Sequence, residues 1–415
     1  MRNARVLQVG LLILILAIAI LPASASAQVY KKIFDFNSNS VGLYPNGSLV
    51  FDSAGNLYGT AGGGGSCSTD SSGCGLVFEL SPSSGGGWTE TILHAFSGTD
   101  GNYPTAGVVF DSKGNLYGTT YEGGAYNKGV VFELTPTASG WQEQVLYSFT
   151  GAGDGHIPAD GVILDSAGNV YGTTVLGGSN HQGVLFQLTG SGSSWTENVL
   201  MNFNSSNGTG ASPLAFDAAG NLYGTFGGGG GNYNPYRSGT IYELSPNGLG
   251  GWTHSIFFTF TSTFKTGSAP AWGVTFDSSG NLYGTTNGAV PIADTAGEVF
   301  ELSAPAWTET KLFQLSDTST THGMRENFSG PLTIDALGNT YGAVQDNGFG
   351  IYLPNDGFIF RIGPSGSATF TFPLLEPNDR LYPLGGLAVD GQGNVYGATR
   401  PEFSGSSGSV YEVIF

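Results

Sequence analysis

Seven times the chain writes Asp-x-x-Gly-Asn, then a hydrophobic or threonine residue and Tyr-Gly, with copies starting at Asp52, Asp111, Asp165, Asp217, Asp277, Asp335 and Asp390. Successive starts lie 52 to 60 residues apart. That period falls in the range of propeller blades and is too long for ankyrin, tetratricopeptide or leucine-rich units. The spacing predicts an array of seven like units, each stacked on its neighbours. Residues that recur in every unit are first of all the residues that build it, so the repeat speaks more of architecture than of chemistry.

The second unit shows the pattern most fully. Gly107–Asp111 is a short β-rich run, Ser112–Asn115 is a turn, and Leu116–Thr120 is the next run. This reads as a hairpin, with Gly114 supplying a positive φ and Asp111 accepting backbone N–H bonds. Gly129–Leu134 and Trp141–Phe149 supply two further runs. Four strands in meander order predict a propeller blade. The third run recurs as Val77–Leu80, Leu185–Leu188, Ile241–Leu244, Val299–Leu302, Ile359–Ile362 and Val410–Val413. The fourth begins at Trp88, Trp141, Trp195, Trp252 and Trp307 and degenerates around Ala368 to Phe372. Five of six tryptophans therefore share one repeat position. Packing between outer strands accounts for them; a repeated sugar-stacking platform is the functional alternative.

The last unit stops at Phe415, directly after its third strand, while Val29–Phe36 near the other end matches the fourth-strand pattern. The expected fold is thus all-β: a seven-bladed propeller of four-stranded antiparallel blades, its ring closed by the N-terminal strand. Residues 28–415 form one domain on this reading, with 28–36 as the outer strand of the last blade. Met1–Ala27 reads as a secretory signal peptide, with Arg2 and Arg5, an apolar run from Val9 to Leu21, and small residues ending in Ala25-Ser-Ala27.

The paired motifs Asp-x-x-Gly-Asn-Leu-Tyr-Gly-Thr-Thr and Gly-x-Val-Phe-Glu-Leu-Thr/Ser-Pro resemble the GloVer (Gloeo_Verruco) tandem repeat of bacterial secreted proteins. The resemblance runs from Gln28 to Phe415 and weakens at Asp335, where Tyr341-Gly-Ala-Val lacks the threonines. It implies an exported bacterial protein with a propeller-like fold, and it brings no established activity and no catalytic residues. Some members of the family carry C-terminal anchoring segments; the chain's end inside its last blade makes an anchored form unexpected here.

Thirteen basic side chains, two of them in the leader, face 31 acidic ones, which makes nucleic acid and anionic membrane poor partners. Charged residues are 11% of the chain. Against that neutral background the irregular polar residues of the variable loops stand out: Asp154, His156 and Asp160; Arg237; His322, Arg325 and Glu326; Asp379, Arg380 and Tyr382; and Arg400 with Glu402. In a propeller these loops open on one face around the channel, and the Asp turns lie on the other. His156, Arg237, His322, Arg325, Glu326, Arg380, Tyr382 and Arg400 are therefore the candidate ligand-binding residues, with an acidic sugar as the sharper version. Solvated loop charge is the competing reading. Cys67 and Cys74, the only cysteines, are expected to pair in an exported protein. No catalytic set, metal motif or cofactor motif is recognised, and the repeated Asp and Asn read as turn chemistry rather than calcium ligands. The expected function is a secreted, monomeric binding or surface-interaction module for extracellular glycan or protein. A polysaccharide lyase or hydrolase and a structural envelope protein are the alternatives.

Overall fold

The structure is a computed structural model. It describes residues 29–38, 40–65, 67, 72–204, 212–227, 239–260, 270–287, 297–315, 326–346, 357–371, 381–401 and 408–415. For Ala271, Glu326, Asp346, Thr371, Leu381, Tyr382, Arg400 and Pro401 only the backbone is described.

Each motif Asp builds its turn by accepting four hydrogen bonds. Asp165 Oδ1 accepts from Ala167 N and Asn169 N, both at 2.9 Å, and Oδ2 accepts from Asn169 Nδ2 at 2.7 Å and Tyr171 Oη at 2.9 Å. The other six copies repeat the arrangement, for example at Asp52 and Asp335. Gly168, at φ +84°, takes the left-handed position that the turn requires. With its lone pairs filled by protein donors, the recurring carboxylate is explained as turn chemistry. Gly59, of the Tyr-Gly pair, has a different role: a Cβ there would stand 2.6 Å from Phe78 Cζ and 2.7 Å from Leu49 Cδ2. The aromatic ring of the third strand lies where that side chain would be.

These hairpins assemble into seven antiparallel sheets. The first blade comprises Leu43–Phe51, Leu57–Gly63, Leu76–Pro82 and Trp88–Ala95, ordered from the channel to the rim. The second comprises Val109–Phe110, Leu116–Thr120, Val130–Thr137 and Gly140–Ser148. Blades three to five repeat the meander, and blade six splits its first strand into Glu326–Phe328 and Thr333–Ile334. The degenerate fourth run of that blade is the short strand Ala368–Thr371. Blade seven orders Leu381–Val389, Val395–Pro401, Gly408–Ile414 and finally Val29–Phe36, the last pair antiparallel from Val29 opposite Ile414 to Phe36 opposite Gly408. The N-terminal strand closes the ring.

Buried apolar residues gather between blades. One cluster joins Phe36, Ala388, Tyr396 and Val410 of the last blade to Leu49, Leu57, Leu76 and Phe78 of the first; six others occupy the remaining seams of the described residues. The threonine of Tyr-Gly-Thr is a seam residue too. Thr60 Oγ1 donates to the Ala106 carbonyl at 2.8 Å, Thr119 Oγ1 to the Asp160 carbonyl at 2.9 Å, and Thr173 Oγ1 to the Ser212 carbonyl at 3.3 Å. Each hydroxyl thus fastens a blade to the lead-in segment of the next, where those inner carbonyls would otherwise lack partners. The first strands of blades two to four pair for only two residues.

Candidate functional site

Two faces of the ring follow from the blade order. One carries the Asp turns and the connections from third to fourth strands; the other carries the loops of variable length. A cavity of about 420 Å³ opens on the Asp-turn face at the seam between the last and first blades. Its apolar wall is Phe51, Pro82 and Trp88 from the first blade and Tyr396 from the last. Asp52, Asp390 and Gln392 supply its polar rim.

The walls are fixed by the repeat itself. Trp88 opens the outermost strand and stands edge-on to Tyr396, with centroids 5.9 Å apart; Phe51 meets the same tyrosine at 5.0 Å. Tyr396 Oη is held by Glu412 at 2.8 Å. The same pairing recurs at other seams, with Trp141 against Tyr58 at 6.3 Å and Trp252 against Tyr171 at 5.9 Å. Trp307 instead meets Phe257 at 4.7 Å. All five fourth-strand tryptophans are half-buried, each packed into a seam while keeping part of its surface in solvent. They serve the packing role, and their exposed parts leave the stacking role open.

Burial works to raise the Asp52 pKa, but the hydrogen bonds from Asn56, Ala54 and Tyr58 outweigh it and hold the group below its usual range. Three glutamates of the outer strands behave oppositely. Burial pushes Glu90, Glu143 and Glu197 up to about 7, with Asp100 adding to the effect at Glu143 and Asp154 at Glu197.

Of the loop residues singled out in the sequence, His156 is described on the variable-loop face. Its backbone bridges Leu176, with N donating to the Leu176 carbonyl at 2.8 Å, and its Nδ1 is buried without a hydrogen-bond partner. Burial and then the Lys128 cation lower its pKa, against Asp154, which raises it. Asp154 ties its own loop, accepting from Tyr147 Oη at 3.0 Å and from Thr150 N and Oγ1 at 2.7 Å. Asp160 turns inward, where burial pushes its carboxyl up to about 6 and Thr173 Oγ1 stands 3.4 Å away. These three loop residues therefore do not form one group. Tyr382 and Arg400 are paired across the first two strands of blade seven, and Glu326 faces Asp346 in blade six, as backbone positions. Arg237, His322, Arg325 and Arg380 lie outside the described residues.

Cys67 and Cys74 are joined in the loop between the second and third strands of the first blade, with Cα atoms 5.3 Å apart. That spacing is within the range of ordinary disulfides. The seam cavity was hidden from the sequence, since Phe51 and Tyr396 are far apart along the chain. The signal that could have found it is the recurrence of a fourth-strand Trp and a motif Tyr, which meet across the seam at Trp88, Trp141 and Trp252.

The turn, the Tyr-Gly pair and the seam tryptophan together form a sequence signature. Residues 66–264 match the Gloeobacter/Verrucomicrobia repeat family. The hydrogen-bonded Asp turns at Asp277, Asp335 and Asp390 carry the geometry of this repeat beyond those bounds. No curated protein matches the sequence. Among solved structures, the fold is similar to the periplasmic gluconolactonase of Pseudomonas aeruginosa, at 14% identity and TM-score 0.54 over 86% of this chain and 96% of that one. It is similar also to a protein from Lactobacillus plantarum, at 12% identity and TM-score 0.53 over 85% and 98%. A puromycin-hydrolyzing peptidase of Mycobacterium tuberculosis matches at 11% identity and TM-score 0.50 over 86% of this chain and 50% of that one. This chain spans about half the length of that peptidase. At such identities the likeness is one of fold.

Proposed function

We propose that the protein is an exported binding module for neutral extracellular glycan, held at the aromatic seams of the Asp-turn face. The observation that carries this reading is the cavity between the last and first blades, where Trp88, Phe51 and Tyr396 meet a polar rim of Asp52, Asp390 and Gln392. A sugar ring presents C–H groups on its faces and hydroxyls on its edge, and a surface with aromatic walls and a polar rim matches both. The two rim carboxylates, their lone pairs taken up by the turns, repel uronates by charge, and the Gln392 amide offers a donor and an acceptor to neutral hydroxyls. Repetition of the Trp–Tyr pair adds avidity for a repeating polymer, since each further subsite binds intramolecularly. The basic loop residues Arg325 and Arg380 support the rival choice of an acidic glycan on the variable-loop face.

Affinity electrophoresis through gels containing neutral or uronate polysaccharides separates the two. Retardation by a neutral polymer that weakens in Trp88→Ala is the expected result. Retardation by a uronate polymer that is lost in Arg325→Ala or Arg380→Ala, with Trp88→Ala unaffected, overturns the seam reading. Fold neighbours named as a gluconolactonase and a peptidase suggest reading the same samples for new reducing or unsaturated ends, whose appearance would mark an enzyme instead.

A further inference from the structure

On the rim, the outer strand Trp88–Ala95 of the first blade neighbours Gly140–Ser148 of the second. Three side chains converge there: His94 and Asp100 from the first blade and Glu143 from the second. His94 Nε2 stands 3.0 Å from Asp100 Oδ2. The ligating atoms of all three lie within 4.8 Å of one another. Asp100 is oriented for this, because its other oxygen accepts from Ser97 N at 2.8 Å and Ser97 Oγ at 2.9 Å. His94 is held edge-on by Phe96, with centroids 4.8 Å apart. Glu143 Oε1 is buried and accepts no hydrogen bond. All three residues are half-buried, so one side of the group faces solvent.

The next seam is an internal control. There Tyr147 Oη donates to Asp154 Oδ2 at 3.0 Å, Thr150 secures the same carboxylate, and Glu197 Oε1 is again buried without a donor. The glutamate and aspartate therefore belong to the architecture of the rim. What changes is the third group, from a phenol that donates to an imidazole that can present a nitrogen lone pair.

We propose that the seam between the first and second blades is a divalent transition-metal site, with His94 Nε2, Asp100 Oδ2 and a Glu143 carboxylate oxygen as ligands and water at the open position. One imidazole nitrogen and two carboxylate oxygens suit Zn²⁺. Ligand atoms around a tetrahedral Zn²⁺ stand about 3.4 Å apart. Measured separations run from 3.0 Å to at most 4.8 Å, so closure requires side-chain shifts of roughly an ångström. A bound ion ties the outer strands of two blades together and stabilises the folded ring by mass action.

The test uses the full chain, purified without an affinity tag and stripped by chelator. Zn²⁺ is titrated by calorimetry at neutral pH, and Co²⁺ by visible absorption. The expected result is one Zn²⁺ per chain, a Co²⁺ spectrum of four-coordinate intensity, and a higher melting temperature with Zn²⁺. His94→Tyr, which copies the next seam, keeps the metal-free melting temperature and loses all three responses; Glu143→Gln also loses them, and Glu197→Gln keeps them. If His94→Tyr does not fold, the nearly isosteric Glu143→Gln decides. Wild-type uptake no greater than that of the Glu143→Gln protein, or uptake abolished equally by Glu197→Gln, overturns the proposal.

Discussion

Ring closure hangs on Phe36, and its truncation has a calculable cost. The side chain is fully buried, contacts Phe78 and Phe34 at centroid distances of 4.7 and 5.0 Å, and belongs to the cluster shared by the last and first blades. Phe→Ala at such a site removes transfer energy and leaves a cavity, together costing about 3–5 kcal/mol. For a folded chain of this length the unfolding entropy is about 0.8 kcal/mol/K, so Phe36→Ala should lower Tm by about 4–6 °C. Val29→Ala on the same strand is the control; Val29 is 47% exposed and should shift Tm by less than about 1 °C. Differential scanning calorimetry measures both. Deleting Val29–Phe36 should do more, since it bares the Gly408–Ile414 edge and invites association, and a synthetic peptide of those residues should restore the monomer. A Phe36→Ala protein melting with wild type, or a strand-deleted protein that stays monomeric at unchanged Tm, refutes the closure argument.

Replacing Asp165 by Ala strips four donors of their acceptor, and a urea midpoint at unchanged m should report a loss of about 2–4 kcal/mol; a loss near zero would show the turn stable without its carboxylate. Glu197 has a folded pKa raised to about 7, above its unfolded value, so its contribution is complete below about pH 4.3 and is lost as pH rises through about 7. Its partial exposure limits the effect to about 1 kcal/mol, and Glu197→Gln should flatten the fall of Tm across that window; an unchanged pH profile contradicts the raised pKa. Asp52, Asp277 and Asp335, held low, act in the opposite direction and lose their contribution as pH falls through their folded pKa values. Peptide mass spectrometry without reductant should recover Cys67 linked to Cys74, and reduction should cost about 2 kcal/mol for so short a loop; free thiols in protein purified from an oxidising compartment would count against the pair.

The fold was legible because its determinants are local and repeated. Asp, Gly and Asn in each turn make hydrogen bonds within five residues of one another, and the orphan run at Val29–Phe36 matched the strand missing after Phe415. The threonine that follows Tyr-Gly in the first five units was visible as a repeat, yet its role depends on the next blade's carbonyl, which no spacing reveals. The seam cavity joins Asp52 and Trp88 to Asp390 and Tyr396 across the closure, so it exists only once the ring has formed. His94 looked like one histidine among five; its partner Glu143 comes from another blade and is brought close only by blade packing. Loop residues chosen for unusual charge fared differently: Asp154 secures its own loop and Asp160 points inward, because charge alone does not report direction.

The most direct test of the central claim is calorimetric titration of the protein with neutral oligosaccharides of increasing length. If the repeated seams bind glycan, affinity rises with chain length, Trp88→Ala weakens it without loss of fold, and uronate oligomers of equal length bind less tightly. Affinity that is independent of length and untouched by Trp88→Ala, or a preference for uronates, contradicts the account.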